Sequence, residues 1–285
     1  MESQPTSRRW RTGVRLAVLV AVVAMVTTGC SAEVQRGWLP GGPGVTNQTD
    51  RITSLWTGSW IAALSVGVIT WGLILWCVVV YRRRAGDETL PVQLRYHVPL
   101  EVMYVILPLI MVGVLYYYTQ RDMTAIQSTS QTPDLTVQVI GKQWSWDFNY
   151  LDDRVWDSGN QRPLSGAPGV EATAPTLYLP VGERVEFVLD SRDVIHSFWV
   201  PAFLYKKDVI PGRTNHFQIV PEKIGTYVGR CAELCGEYHS EMRFNVKVVP
   251  RAEYDAHIAQ LRGAGQTGAL GVNYNRQQVV VGGGG

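Results

Sequence analysis

Two long apolar runs and a series of short alternating ones divide this chain. Ser59 to Tyr81 is almost uninterrupted apolar sequence, and Pro99 to Tyr118 is a second run of similar length. At about 1.5 Å per helical residue, each is long enough to cross a hydrocarbon core of roughly 30 Å. The first run closes on Arg82, Arg83 and Arg84, and the second on Tyr116, Tyr117 and Tyr118, a candidate interfacial aromatic belt. The arginine cluster places the intervening loop in the cytoplasm and everything from Thr119 onward outside. The pattern predicts a transmembrane helical hairpin over residues 59–118.

After a polar connector, 119–133, the period changes to two. Leu135-Val137-Val139, Leu177-Leu179, Val185-Phe187-Leu189, Phe217-Ile219, Tyr227-Gly229 and Phe244-Val246-Val248 alternate with polar residues between Pro/Gly turns. Short strands at such intervals predict an antiparallel β-sandwich over 134–250, and roughly 115 residues suffice for one core. Asp152 to Ala174 reads as a surface loop, and Glu253 to Arg262 as a short helix in a C-terminal segment, 251–285, that ends in a disordered tail.

The first residues form a third pattern. Arg8, Arg9, Arg11 and Arg15 precede the apolar run Leu16 to Val26, which small residues carry to Cys30. This is the layout of a secretory signal over 1–29, too short for a comfortable span. Cys30 directly after Gly29 suggests a bacterial lipoprotein cleavage site with Cys30 lipidated. Residues 30–58 read as an exported linker, Pro/Gly-rich over Gly37 to Asn47.

The chain has 285 residues, 46% hydrophobic and 18% charged, enough for one globular domain beside the spans. Its net charge of +2 comes without a Lys/Arg stripe interleaved with aromatics, so nothing points to nucleic acid. The four cysteines fall in three contexts, Cys30, Cys77 and the pair Cys231/Cys235, which is no disulfide framework.

That last pair stands in GRCAELCGEYHSEM, Gly229 to Met242, with His239 and Met242. Thiolate, imidazole and thioether together favour copper over cations that take oxygen ligands. Zinc is the main competitor, although structural zinc sites almost never include Met. A disulfide between Cys231 and Cys235, or two buried thiols, is the plainer reading. A distant partner weakens it: His196, in DVIHSFWVP, follows the strand pattern of Val185 to Leu189 and a polar turn.

DVIHSFWVP, DVIPGR (Asp208 to Arg213) and GRCAELCGEYHSEM together closely resemble subunit II of cytochrome c oxidase, over about Ser54 to Val249. The resemblance implies a cupredoxin-like sandwich with a dinuclear copper centre, CuA. It assigns Cys231 and Cys235 as bridging thiolates, His196 and His239 as one cap per copper, Met242 as a weak ligand, and Glu233 as a ligand through its carbonyl. It gives the Glu233 carboxylate to a magnesium shared with subunit I. Glu101, ahead of Ile106-Leu107-Pro108, corresponds to a proton entry, and Trp144 in QWSWDFNY to the electron entry beneath a docked c-type cytochrome. Asp147, Asp152, Asp153, Asp157, Asp193 and Asp208 are candidates for an acidic docking surface.

The implied role is electron transfer from a c-type cytochrome, free or within a supercomplex, to haem in subunit I. Oxygen reduction, coupled to proton translocation, would occur there, on another chain. The implied location is a bacterial cell membrane, with the N-terminus and sandwich outside. A quinol oxidase subunit would lack the copper ligands, and a copper-delivery protein leaves the two spans, Glu101 and Trp144 unexplained. No C-x-x-C-H occurs, so a fused haem c has no motif.

Overall fold

The computed structural model describes residue 20, residues 31–86, 90–161 and 173–272, and residues 280–281. Apart from residue 20, the predicted signal sequence lies outside the described residues, as does Cys30.

After a single turn of helix, α1 (Ala32–Gln35), come two long helices, α2 (Thr49–Val80) and α3 (Val98–Gln127). Both are long and apolar enough to cross a membrane, and their apolar side chains are exposed. They begin or end well outside the apolar runs: α2 starts ten residues before Ser59 and α3 ends nine residues after Tyr118. Arg51, near the start of α2, pairs with the buried Asp122 near the end of α3 at 3.0 Å. The helices therefore run antiparallel, with those ends beside the sandwich and Arg82 to Arg84 at the far end.

The rest of the chain is a sandwich of two five-stranded sheets. One holds, in spatial order, β3 (Val155–Ser158), β2 (Ser145–Tyr150), β1 (Leu135–Lys142), β5 (Val185–Ser191) and β8 (Asn215–Ile219). The other holds β4 (Thr176–Pro180), β10 (Arg243–Val249), β9 (Gly225–Cys231), β6 (His196–Val200) and β7 (Tyr205–Val209). Every alternating run of the sequence lies in one of these strands. The inward residues form one core, in which Phe198 stacks on Phe244 and Phe187 on Phe217, each at 4.7 Å.

Four sequence expectations change here. The sheets are mixed, because β1 pairs with β5 and β4 with β10 in parallel. Strands that alternate between two sheets find neighbours distant in sequence, and direction is then free of the hairpin rule. The supposed loop from Asp152 contains β3, which pairs with β2; residues 162–172 lie outside the described residues. The linker expected to be exposed over Gly37 to Asn47 is so at Trp38, Pro40, Gly41 and Pro43, but its end is a clasp: Val45 and Thr46 are buried, Thr46 pairs with Pro221, and Asn47 accepts the Val220 N–H at 2.9 Å. A further helix, α4 (Arg251–Gly263), buries Tyr254, Ile258 and Leu261. The start of the tail behind it is pinned, since the Leu270 backbone exchanges two hydrogen bonds of 2.9 Å with the Asn149 amide. Ala269–Leu270 (β11) also pairs with Val280–Val281 (β12).

Candidate metal centre

The sheet register assembles the site. In the β6/β9 pairing Phe198 faces Cys231, so His196, two residues earlier on β6, lies beside the loop leaving β9. The loop folds back on itself: Cys231 N–H donates to the Met242 carbonyl and Ala232 N–H to the Ser197 carbonyl, both at 3.0 Å. A single 3₁₀ turn, His239–Glu241, then returns the chain to β10.

This folding brings all six predicted copper residues together. The Sγ atoms of Cys231 and Cys235 are 3.9 Å apart and unbonded, which removes the disulfide reading. His196 Nδ1 lies 3.9 Å from Cys231 Sγ and His239 Nδ1 3.5 Å from Cys235 Sγ. Met242 Sδ lies 3.7 Å from Cys235 Sγ, and the Glu233 carbonyl 3.3 Å from Cys231 Sγ. His196, Cys231, Cys235 and Met242 are buried, whereas the Glu233 side chain is exposed. The donor atoms of His196, Cys231 and Cys235 all lie within 4.8 Å of one another.

Two thiols this close cannot titrate independently. The Cys235 hydrogen bond, with help from His196 against burial, pulls Cys231 down to about 4. The Cys231 sulfur and burial push Cys235 far above a normal thiol. One thiolate forms readily, and the second needs a cation. A buried, soft, preassembled donor set with a thioether fits copper.

His196 is held from behind. Its Nε2 meets Asp193 Oδ1 at 2.7 Å, leaving Nδ1 turned to the sulfurs. Burial opposes a charge on either group. The bond from Asp193 nevertheless raises the His196 pKa, and that from His196, with the backbone N–H groups of Gln143 and Val194, lowers that of Asp193. Asp193 is therefore no docking carboxylate. Asp147 leaves that list too: on the face of β2 opposite the core-facing Trp146 and Phe148, it is buried against Lys142 at 2.7 Å and Arg192 at 3.0 Å. Asp153 accepts the Tyr254 hydroxyl at 2.7 Å and Asp157 is half-buried, while Asp152 and Asp208 stay exposed.

Trp144 sits beside the loop. Its ring meets Tyr238 edge-on at 4.8 Å, and a Cβ on Gly236 would come within 3.2 Å of it. Gly236 also has φ +123°, a conformation that side chains with a Cβ rarely adopt, so glycine suits this turn. Gln143 fastens the same turn to the metal loop: its Nε2 donates to the Cys235 carbonyl at 2.7 Å, and its backbone N–H to Asp193 Oδ2 at 2.7 Å. Sequence reasoning named neither Gln143 nor Asp193 as support; their adjacency to Trp144 and His196 was the available signal.

Glu101 is remote from this assembly. It stands in the first turn of α3, at the end away from the sandwich, where its carboxylate accepts the His97 N–H at 2.9 Å and so caps the helix.

Residues 135–249 match the family model described as cytochrome c oxidase subunit II, periplasmic domain. The probable cytochrome c oxidase subunit 2 of Streptomyces avermitilis is 44% identical over 281 residues, covering 88% of each chain. The chain belongs to the cytochrome c oxidase subunit 2 family. Cytochrome c oxidase subunit 2 of Mycobacterium tuberculosis is 34% identical, over 86% of this chain and 80% of that one. A crystal structure of the periplasmic domain of subunit II from Bradyrhizobium japonicum is 30% identical, covering 47% of this chain and 97% of that one, with a TM-score of 0.44. As a cytochrome c oxidase subunit, this chain joins a domain of the periplasmic type to two helices able to span a membrane.

Proposed function

We propose that the sandwich is the electron-entry module of the oxidase: it takes electrons from a c-type cytochrome and passes them to haem on subunit I, where oxygen is reduced. The observation that carries this reading is the convergence of two unbonded buried thiols with two imidazoles, a thioether and a carbonyl. Bound copper would supply a one-electron couple whose charge is shared with sulfur. Cys231 and Cys235 would hold two such ions between them, with His196 and His239 at the ends, Met242 as a weak ligand and the Glu233 carbonyl completing the set. Burial of the sulfurs keeps water away, and the bonds among Asp193, Gln143 and the loop keep the donors still as charge changes.

Trp144, half-buried at the loop's outer side, is the proposed point of electron entry, with exposed Asp152 and Asp208 among the acids available to a basic cytochrome. The exposed Glu233 carboxylate is the proposed ligand to a magnesium shared with subunit I. Glu101, at the opposite face of the membrane from the sandwich, is the proposed proton entry, and its capping bond leaves one carboxylate oxygen available. The N-terminal segment is proposed to be an export signal ending at a lipidated Cys30, anchoring the outer face to a bacterial membrane.

Trp144→Phe should slow reduction of the purified oxidase by reduced cytochrome c at least tenfold in stopped flow while leaving copper content unchanged. Glu101→Ala should slow proton uptake with the same copper content. Full-rate reduction in Trp144→Phe would remove the entry role.

A further inference from the structure

An elongated groove of about 800 Å³ lies between α2 and α3 at the end of the hairpin next to the sandwich. Ser54, Gly58 and Ala62, one per turn, make a small-residue strip along its α2 wall beside Leu55, and Met111, Val114 and Leu115 line it from α3. A Cβ on Gly58 would find no atom within 4 Å, so the groove is open there. From Arg51 to Ala62 it runs ~16 Å at the helical rise, close to the ~15 Å depth of one leaflet.

The mouth of the groove is charged. Arg51 and Arg121 converge on the buried Asp122, at 3.0 and 2.9 Å. Their side chains remain 40% and 52% exposed, and each guanidinium has five N–H groups, so donors remain for a further acceptor. Asp50, exposed at the same mouth, accepts the Gly44 N–H at 3.3 Å. Two cations and two carboxylates leave the mouth without net charge.

We propose that this groove binds one phospholipid with a zwitterionic headgroup. The acyl chain lies along Gly58 towards Ala62, the phosphate takes donors from Arg51 and Arg121, and the amine faces Asp50. A polypeptide helix would meet the guanidinium donors only by bringing a carboxylate of its own to this mouth, whereas every phospholipid carries its phosphate at that depth. The inference rests on the hairpin crossing a bilayer, which extraction of membranes at alkaline pH checks on its own: the chain must stay with the membrane.

The test uses the intact oxidase reconstituted with phosphatidylethanolamine carrying a photoreactive acyl chain. Labelling should be enriched on Met111, Val114 and Leu115 over α3 residues on the outward face. Gly58→Leu, whose Cβ would meet no atom within 4 Å and whose side chain would occupy the groove, should reduce it to the outward-face level. Arg121→Gln should weaken retention on the order of tenfold, the worth of one charge-assisted bond. No enrichment in the unaltered oxidase, or labelling unchanged in Gly58→Leu, overturns the site. Stronger labelling by a matched phosphatidylglycerol probe overturns the headgroup assignment.

Discussion

The carboxylate of Asp193 touches three things at once: the ring of His196, the backbone N–H of Gln143 and that of Val194, each at 2.7 Å. It thereby fixes the rotation of a proposed ligand and ties it to the turn that carries Trp144. Asp193→Ala should weaken copper binding by about 10- to 100-fold, the usual effect of removing a carboxylate behind a ligating imidazole. Competition with a chelator measures it, and unchanged affinity would reduce Asp193 to a turn residue. At this scale the sequence was most legible where chemistry is carried by residue type: Cys231, Cys235, His239 and Met242 are a soft-donor set wherever they occur. It was least legible for polar residues whose partner is far along the chain. Asp147 and Asp193 look like solvated carboxylates until Arg192 and His196 are placed beside them.

Among the elements, α4 is attached through a contact that depends on pH. His257 stacks on Tyr178 of β4 at 3.8 Å, and burial, then the Lys247 ammonium, pushes its pKa down to about 4. Above pH 6.5 the ring is neutral folded or unfolded and contributes nothing. As pH falls from 6.5 towards 4 the unfolded chain takes up a proton that the folded one refuses, so stability drops, levelling off below 4. Allowing for partial exposure, the loss should be at most about 2 kcal/mol. Urea unfolding of the sandwich between pH 7 and 4 should show it on top of the loss that Cys231 contributes over the same range, and His257→Phe, which keeps the stack, should make the profile shallower by the His257 amount; an equally steep profile in that variant would assign the loss elsewhere. Strands with alternating burial were visible in the sequence because period two is a local property. The parallel pairs β1/β5 and β4/β10 were not, since pairing partners are chosen across the sandwich. The clasp of residues 45–49 was hidden for a related reason: a Pro/Gly-rich stretch reads as a linker, and its one apolar anchor, Val45, is buried only because β8 ends beside it.

On the scale of the whole molecule, the hairpin and sandwich are joined twice, by the clasp before α2 and by the polar connector after α3. Gln218 on β8 donates to the carbonyl of Gln131 in that connector at 2.9 Å. These ties hold the sandwich at the end of the hairpin away from Arg82 to Arg84, the side on which the proposed electron-entry module would stand. The proposed role depends most on the Cys231/Cys235 pair holding two coppers that share a single electron. The direct measurement is metal content together with the electron paramagnetic resonance spectrum of the purified copper-loaded chain. The expected result is two coppers per chain with hyperfine structure from two equivalent nuclei, lost in Cys231→Ser. One copper with a single-nucleus pattern, or preferential uptake of zinc, would contradict it.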